Sequence, residues 1–268
     1  MNLKKIDKIC YEMRKTILQT SYNCNEAAHI GGALSMVEIL AVLYHKIMKV
    51  DLNKPKDRFI LSKGHGFLGL LSVLKSKKII NNKILNSFQT DNSEIIAHPI
   101  MSPKIGIETS NGSLGQGLSY GVGLAIAYKL KKKKNKIFVM LGDGECYEGS
   151  IWEAAITATE LNLDNLVVLL DSNGYQNDGK INNKMSNLNL SNKWKGFGWN
   201  SMLCNGHNID LINKSFRKIK SNKPNIIIFK TTKGKGVKFM ENNNDWHHGR
   251  LTKNLYLTAI NNLEKNHA

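Results

Sequence analysis

The sequence is poor in several residue types on which particular functions depend. Among its 268 residues, proline occurs four times, cysteine four times, and aromatic residues make up 7%. The cysteines are widely spaced and form no C-x-x-C pair: Cys10, Cys24, Cys146 and Cys204. This spacing argues against a disulfide framework and favours a reducing, cytoplasmic location. Long apolar runs such as Ile137–Leu141 and Leu166–Leu170 are far shorter than the roughly 18 residues that span a bilayer, so we expect no membrane segment.

Arginine is also scarce, although the chain is strongly basic. Lysine and arginine total 38 against 21 acidic residues, which gives a formal net charge of +17. Only four of the basic residues are arginines: Arg14, Arg58, Arg217 and Arg250. Base readout depends on the arginine fork and single-strand binding on aromatic side chains, so we predict no nucleic-acid partner. We interpret the excess of lysine and asparagine as coding in an AT-rich genome, with a non-catalytic basic binding protein as an alternative.

Helix and strand signals alternate along the whole chain, without repeats or a long linker. Apolar residues recur at helical spacing near the amino terminus, which predicts a first helix rather than a targeting peptide: Ile6, Ile9, Met13 and Ile17. Val37–Met48 is predicted as a helix, residues 51–57 as a turn and Arg58–Leu61 as a strand. The alternation predicts one α/β domain over residues 1–268, with a mostly parallel sheet and helices on both of its faces.

The most informative segment runs from residue 137 to residue 179. It is predicted as a strand (Ile137–Leu141), a Gly-Asp-Gly turn, a helix over about residues 150–161 and a second strand (Leu166–Leu170) followed by Asn173. In a βαβ unit both strands end at the same edge of the sheet, about 4.8 Å apart. Asp143 and Asn173 can then meet on one hard cation, and Gly142 and Gly144 let backbone N–H groups approach the phosphates that such a cation binds.

The spacing of Asp143 and Asn173 resembles the signature of thiamine-diphosphate enzymes. Other segments follow in the order found in transketolases: 26–44, 57–71, 98–99, 108–127, 230–237 and 246–249. The resemblance covers about residues 5 to 250 and corresponds to the amino-terminal, diphosphate-binding half of a transketolase, as in the split form in which two chains replace one. It implies the thiamine-diphosphate-binding fold, thiamine diphosphate as cofactor, and Mg²⁺ as metal, with Ca²⁺ or Mn²⁺ as alternatives.

Histidines carry most of the catalytic roles that the resemblance implies. His29, His65 and His98 are expected to line the substrate channel and move protons, and His65 also to reach the diphosphate. The fourth catalytic histidine is either His247 or His248, and the His-Gly ending of the motif favours His248. Two further histidines match no motif and are expected to be structural: His45 and His207.

Further residues are assigned by the same resemblance. Cofactor contacts are implied for His65, Gly112, Ser113, Leu114, Gly142, Asp143, Gly144, Glu145 and Asn173. Metal ligands are implied to be Asp143, Asn173 and the backbone carbonyl of Tyr175. Glu148 and Glu153 match acidic residues that connect paired active sites across the subunit interface. The G-x-G-x-x-x-G spacing after Gly115 does not fit a dinucleotide fingerprint, and the later Gly121 and Gly123 are expected to serve close helix packing.

The implied reaction is the transfer of a two-carbon ketol unit from a ketose phosphate to an aldose phosphate. The family's glutamate that activates the cofactor and its phosphate-binding arginines belong to the second half, so this chain is expected to be inactive alone. We therefore expect association with a carboxy-terminal transketolase subunit, as a two-plus-two assembly. The alternative enzyme is the α subunit of a 2-oxo acid dehydrogenase, although the segments 62–65 and 111–117 favour transketolase.

Overall fold

The computed structural model describes residues 2–50, 57–181 and 189–267. In these ranges five strands form one sheet, in the order β1-β2-β3-β7-β6, with every neighbouring pair parallel. Its strands are β1 (Arg58–Leu61), β2 (Ile137–Gly142), β3 (Leu166–Ser172), β6 (Asn200–Asn205) and β7 (Asn225–Lys230). A small antiparallel pair follows β3: β4 (Tyr175–Gln176) and β5 (Gly179–Lys180). The predicted parallel sheet is confirmed. The turn predicted over residues 51–57 cannot be compared, because residues 51–56 lie outside the described residues.

The helices of the described ranges surround this sheet. They are α1 (Leu3–Asn23), α2 (Gly31–Leu34), α3 (Val37–Val42), α4 (Phe67–Ser76), α5 (Asn82–Asn86), α6 (Gln116–Leu130), α7 (Gly149–Glu160), α8 (Leu190–Gly196), α9 (Ile209–Phe216) and α10 (Lys253–His267). The helix predicted from Val37 is confirmed, and its last turn, Leu43–Ile47, is π-helical. In the described ranges, none of the helices combines the length and the hydropathy that a bilayer-spanning segment requires.

Strand residues alternate between two apolar layers, as the period of two in a strand requires. Ile137, Val139 and Leu141 of β2 pack in one cluster with apolar residues of α6 and α7. Phe138 and Met140 pack in another cluster, with residues of α1, α3 and α4. Helices therefore cover both faces of the sheet, and this explains why β2 and β3 are continuous apolar runs.

Two glycines of α6 differ in what surrounds them. A Cβ on Gly121 would lie 2.5 Å from Cγ2 of Val139, so the helix approaches the sheet too closely for a side chain there. This confirms the packing role expected for Gly121. A Cβ on Gly123 would meet no atom within 4 Å, because Gly123 lies on the exposed side of the helix. The packing role expected for Gly123 was therefore wrong.

Candidate active site

The carboxyl ends of β2 and β3 bring together the two motifs of the central segment. Gly142 is paired with Asp171 in the parallel register, and the Asp143 N–H donates to the Asp171 carbonyl at 3.1 Å. The Asp143 carboxylate accepts from the N–H groups of Gly144, at 3.0 Å, and Gly174, at 2.7 Å. The two turns therefore lie against each other, as the βαβ interpretation predicts.

Asp143 is a buried carboxylate that forms no ion pair with the described residues. Its side-chain hydrogen bonds within the described ranges come from backbone N–H groups, and no ion pair is formed there. Burial raises its pKa to about 6, although the Gly174 N–H opposes this shift. The carboxylate lines a cavity of about 250 Å³ at the carboxyl edge of the sheet. Because a buried carboxylate is costly unless paired, this arrangement fits a bound cation.

Asn173 and Tyr175 line the same cavity. The Asn173 side chain accepts from the Tyr175 N–H at 3.0 Å and donates to Asp171 at 3.3 Å, which fixes its orientation. Within the described residues, no cluster of three or more His, Cys, Asp or Glu side chains could hold a metal ion. Asp143 offers a carboxylate, Asn173 an amide oxygen and Tyr175 a backbone carbonyl, a hard-oxygen set suited to an Mg²⁺ that takes its remaining ligands from phosphate or water.

A buried ion pair between Lys63 and Asp171 lies at the cavity wall. Lys63 follows β1, and its Nζ is 2.5 Å from Asp171 Oδ2 and 3.0 Å from the Gly32 carbonyl oxygen. Asp171 also accepts from Ser35 at 2.5 Å and from the Thr231 hydroxyl. Burial alone would raise the pKa of Asp171, but Lys63 lowers it below its ordinary value. Sequence reasoning assigned no role to this pair.

Lys233 is a second cation that sequence reasoning missed. It is 1% exposed and lines the cavity, and its ammonium donates to Asn244 Oδ1 at 2.6 Å. His247 Nδ1 lies 3.1 Å from the same ammonium, and the centroid of the Tyr175 ring lies 5.4 Å from it. Burial, followed by repulsion from Lys63, lowers the pKa of Lys233 to about 8. Lys63 is neutralised by Asp171, whereas the hydrogen-bond partners of the Lys233 ammonium in the described ranges are uncharged, so Lys233 can pair with an anion in the cavity.

Five histidines converge beside this cavity. His29 is central, with ring centroids 5.1 Å from His98, 5.4 Å from His247, 4.6 Å from His248 and 6.1 Å from His65. The sequence left His247 and His248 as competitors, but both rings lie within this cluster. His247 and His65 also line the cavity, whereas His248 is exposed at the cluster's edge.

The histidine cluster is held largely uncharged. Burial, followed by repulsion from neighbouring histidines, lowers the pKa of His29 to about 3, and burial and Lys233 lower that of His247 to about 4. Burial also lowers the pKa of His65 and His98. Buried His29 Nδ1 has no hydrogen-bond partner within the described residues. A neutral imidazole has one nitrogen that accepts a hydrogen bond and one that donates, so such rings can bind the hydroxyl groups of a ligand.

The glycine-rich loop before α6 reaches the cavity only in part. Leu114 lines the cavity, whereas Gly112 and Ser113 are exposed and do not line it. Gly115 adopts a φ of +83° immediately before the helix, a conformation that favours glycine. The structure thus places the end of this loop, rather than all of it, beside the cavity.

Glu145 is buried and engaged by several donors. Its carboxylate accepts from the Ser62 hydroxyl at 2.5 Å, from Gly115 N–H at 2.9 Å and from Gly142 N–H at 3.1 Å. It lines the cavity together with Gly142 and Gly144, and burial raises its pKa. These contacts join β1, the glycine-rich loop and the Gly-Asp-Gly turn, so Glu145 holds the cavity wall together.

The two glutamates near the start of α7 differ in position. Glu148 immediately precedes the helix, is exposed and lines the cavity rim. Glu153, one turn into the helix, is also exposed but does not line the cavity. His45, which the sequence analysis expects to be structural, does not line the cavity. Its Nε2 is hydrogen-bonded to the Ser76 hydroxyl at 2.9 Å.

Comparison with known proteins shows the family of the chain. The family profile described as "Transketolase, thiamine diphosphate binding domain" matches residues 9–261. The chain belongs to the transketolase family. This transketolase chain is 38% identical over 271 residues to one subunit of the apulose-4-phosphate transketolase of Phocaeicola vulgatus, covering 99% of this chain and 96% of that protein. It is also 38% identical over 243 residues to the 6-deoxy-6-sulfo-D-fructose transketolase subunit SqwG of a Clostridium species, covering 88% of each.

Solved structures support the same family and fold. The transketolase of Campylobacter jejuni superposes with a TM-score of 0.87 and is 29% identical to this chain. The match covers 98% of this chain but only 43% of that protein. The expected thiamine-diphosphate-binding fold is confirmed. The chain is thus an amino-terminal transketolase-family subunit that spans less than half the length of this solved relative.

Proposed function

We propose that this chain provides the diphosphate-binding half of a two-subunit transketolase, which transfers a two-carbon ketol unit from a ketose phosphate to an aldose phosphate. The observation that carries the proposal is the convergence of Asp143, Asn173, Lys233, His65 and His247 on one cavity. This set combines oxygen ligands for a cation with a buried ammonium group for an anion, as a metal diphosphate requires.

The cavity residues divide into two groups by chemistry. Asp143, Asn173 and the Tyr175 carbonyl would hold Mg²⁺, and Lys233 with His65 would contact the diphosphate. When bound, thiamine diphosphate supplies the carbanion chemistry, which amino-acid side chains do not provide. The burial of Asp143 without an ion pair among the described residues supports this assignment.

Proton movement is assigned to the histidine cluster. His29, His98 and His248 do not line the cavity that contains Asp143, and a sugar extending from the cofactor past His65 and His247 would meet them. Because His29 Nδ1 is buried without a partner among the described residues, a substrate hydroxyl there would complete its hydrogen bonding. The lowered pKa of His29 and His98 means that each imidazole is neutral at pH 7, so its unprotonated nitrogen can accept a hydrogen bond from such a hydroxyl.

The active assembly is proposed to need a carboxy-terminal transketolase subunit, in a two-plus-two arrangement. Two relatives of similar length are named as single subunits, and the chain matches less than half of the Campylobacter transketolase. Apolar side chains at the surface of α6 and α7 are also available for association, since Tyr120 is 46% exposed and Ile156 48%.

The four cysteines are free thiols, which agrees with a cytoplasmic location.

Calorimetric titration of thiamine diphosphate and Mg²⁺ tests the proposal, with and without the partner. Binding should require the metal and should disappear in Asp143→Ala. Asp164→Ala is the matched control, because Asp164 precedes β3 and lies at the opposite edge of the sheet. Binding without metal, or equal binding by both variants, would contradict the assignment.

Product analysis then separates the candidate reactions. The purified pair of subunits should convert ketose phosphates and not 2-oxo acids, and apulose 4-phosphate and 6-deoxy-6-sulfofructose belong in the donor panel because relatives are named for them. Decarboxylation of 2-oxo acids would support the dehydrogenase alternative. Salt-sensitive binding to nucleic acid without cofactor binding would support the basic binding protein.

A further inference from the structure

The backbone on both sides of Lys233 is fastened by side chains from distant parts of the chain. The Thr232 N–H donates to His207 Nε2 at 2.8 Å, one residue before the lysine. Arg14 Nε donates to the Lys235 carbonyl at 3.0 Å, two residues after it. The lysine that lines the cavity is therefore enclosed between two backbone contacts.

Glu38 joins these two contacts into one network. Its Oε1 accepts from Arg14 at 2.7 Å, and its Oε2 lies 3.1 Å from His207 Nδ1. The side chains of Arg14 and Glu38 are each 9% exposed, and that of His207 is 16% exposed. Because His207 Nε2 accepts from an N–H, its proton lies on Nδ1 and is donated to Glu38.

The enclosed segment contains two glycines, so its own backbone has wide conformational freedom. Gly234 and Gly236 follow Lys233 with φ values of +76° and +97°, and glycine has the widest conformational freedom of any residue. Fixing such a segment before a ligand arrives removes the entropy cost of ordering it on binding. Other contacts help, since the Gly234 N–H donates to the Gly31 carbonyl at 3.0 Å.

We infer that Arg14, Glu38 and His207 are positioning residues that fix the backbone around Lys233 and so direct its ammonium into the cavity. None of the three lines the cavity, so they act through the backbone rather than by touching a ligand. The inference rests on the proposed function, in which the cavity holds a diphosphate. It would give His207, which the sequence analysis expects to be structural, a role in positioning the site.

Two substitutions at His207 distinguish the roles of its two ring nitrogens, Nε2 and Nδ1. In His207→Gln the amide oxygen reaches the place of Nε2 and can still accept from the Thr232 N–H. In His207→Asn the shorter amide reaches only the place of Nδ1, so it can contact Glu38 but leaves the Thr232 N–H without its acceptor. Both variants remove the imidazole ring, and a general loss of packing would affect them alike.

The first measurement is amide hydrogen exchange at Thr232 in the chain without ligand. The rate should rise in His207→Asn and stay near wild type in His207→Gln.

The second measurement is binding of Mg²⁺–pyrophosphate to the chain and of Mg²⁺–thiamine diphosphate to the two-subunit complex. Affinity should fall about tenfold in His207→Asn and less than about threefold in His207→Gln, the range expected for one hydrogen bond. Lys233→Met shows the effect of losing the ammonium itself.

The outcomes are distinguishable. Equal exchange rates in the two His207 variants, or equal affinities despite different exchange, would overturn the positioning role. If wild-type chain and complex bind neither probe, the proposed function fails, while the exchange rates still decide whether the backbone is held.

Should His207→Asn fail to fold, Arg14→Lys tests the other contact, because it keeps a cation beside Glu38 but removes the Nε donor to Lys235. It should weaken binding about tenfold, and unchanged binding would contradict the inference.

Discussion

Removal of the Lys63 ammonium should destabilise the protein far more than loss of a surface charge. Lys63 and Asp171 are both 0% exposed, and their ion pair measures 2.5 Å. Asp171 would remain buried in Lys63→Met, with Ser35 and Thr231 as its remaining hydroxyl donors. The substitution keeps a long apolar side chain, so its main effect is to leave a negative charge without a cation.

The expected loss follows from this burial. Removing one partner of a buried ion pair costs about 3–5 kcal/mol, because the other charge stays desolvated. Since two hydroxyl groups still donate to Asp171, we expect the free energy of unfolding of Lys63→Met to fall by about 3 kcal/mol, at the lower end of that range. In Lys63→Met/Asp171→Asn no uncompensated charge remains, so the loss should be smaller than the sum of the two single losses.

Urea unfolding at pH 7, followed by circular dichroism, measures these differences. Lys214→Met is the matched control, because Lys214 pairs with Asp210 at the surface, with the two side chains 58% and 41% exposed. An exposed pair of this kind contributes about 0.5 kcal/mol or less. The reasoning is refuted if Lys63→Met costs no more than Lys214→Met, or if the double variant loses as much as the two single variants together.

Two further predictions concern helix packing and acid stability. Gly117→Ala should lower the free energy of unfolding by about 1–3 kcal/mol, because the new Cβ would lie 2.5 Å from the Ser62 side chain. Gly123→Ala should raise the free energy of unfolding by about 0.5–1 kcal/mol, because its Cβ would meet no atom within 4 Å and alanine favours a helix more than glycine does. Urea unfolding that ranks the two variants in the opposite order would contradict this packing. His29 and His247, with pKa values of about 3 and about 4, stay neutral in the folded chain while the unfolded chain takes up protons below about pH 6.5. Stability should therefore fall between pH 7 and pH 5, by about 1 kcal/mol for each histidine after allowance for partial exposure, and an unchanged unfolding midpoint would be inconsistent with neutral burial.

The sequence was sufficient for the central part of the fold because β2 and β3 are buried on both faces. Their continuous apolar runs, each followed by polar residues, predicted the strands and the meeting of Asp143 with the turn at Asn173. The positions of Glu148 and Glu153 relative to the cavity were not predictable in this way. They depend on the direction of α7 relative to the sheet, and the spacing of residues along the chain does not determine that direction.

Lys63, Lys233 and His207 show why the rest of the site was not predictable. Two of them are lysines in a chain with 38 basic residues, so composition hides them. His207 acts on a backbone N–H 25 residues away, and Arg14 on a carbonyl 221 residues away. Their contacts exist only in the folded chain. Segment 230–237 was matched as a motif, but nothing in it indicates which distant side chains contact its backbone.

The charge of the protein has a different meaning once burial is known. Most of the excess lysines that produce the net charge of +17 are surface residues, and salt screens such charges beyond about 8–10 Å. Lys63 and Lys233 are 0% and 1% exposed, so water and salt weaken their fields much less. Lys63 is already paired with Asp171, whereas the ammonium of Lys233 contacts only uncharged acceptors among its hydrogen-bond partners in the described ranges. In the proposed function, the affinity of the cavity for a diphosphate should therefore depend mainly on Lys233, on the metal proposed at Asp143 and on the residues proposed to position that lysine, and little on the net charge.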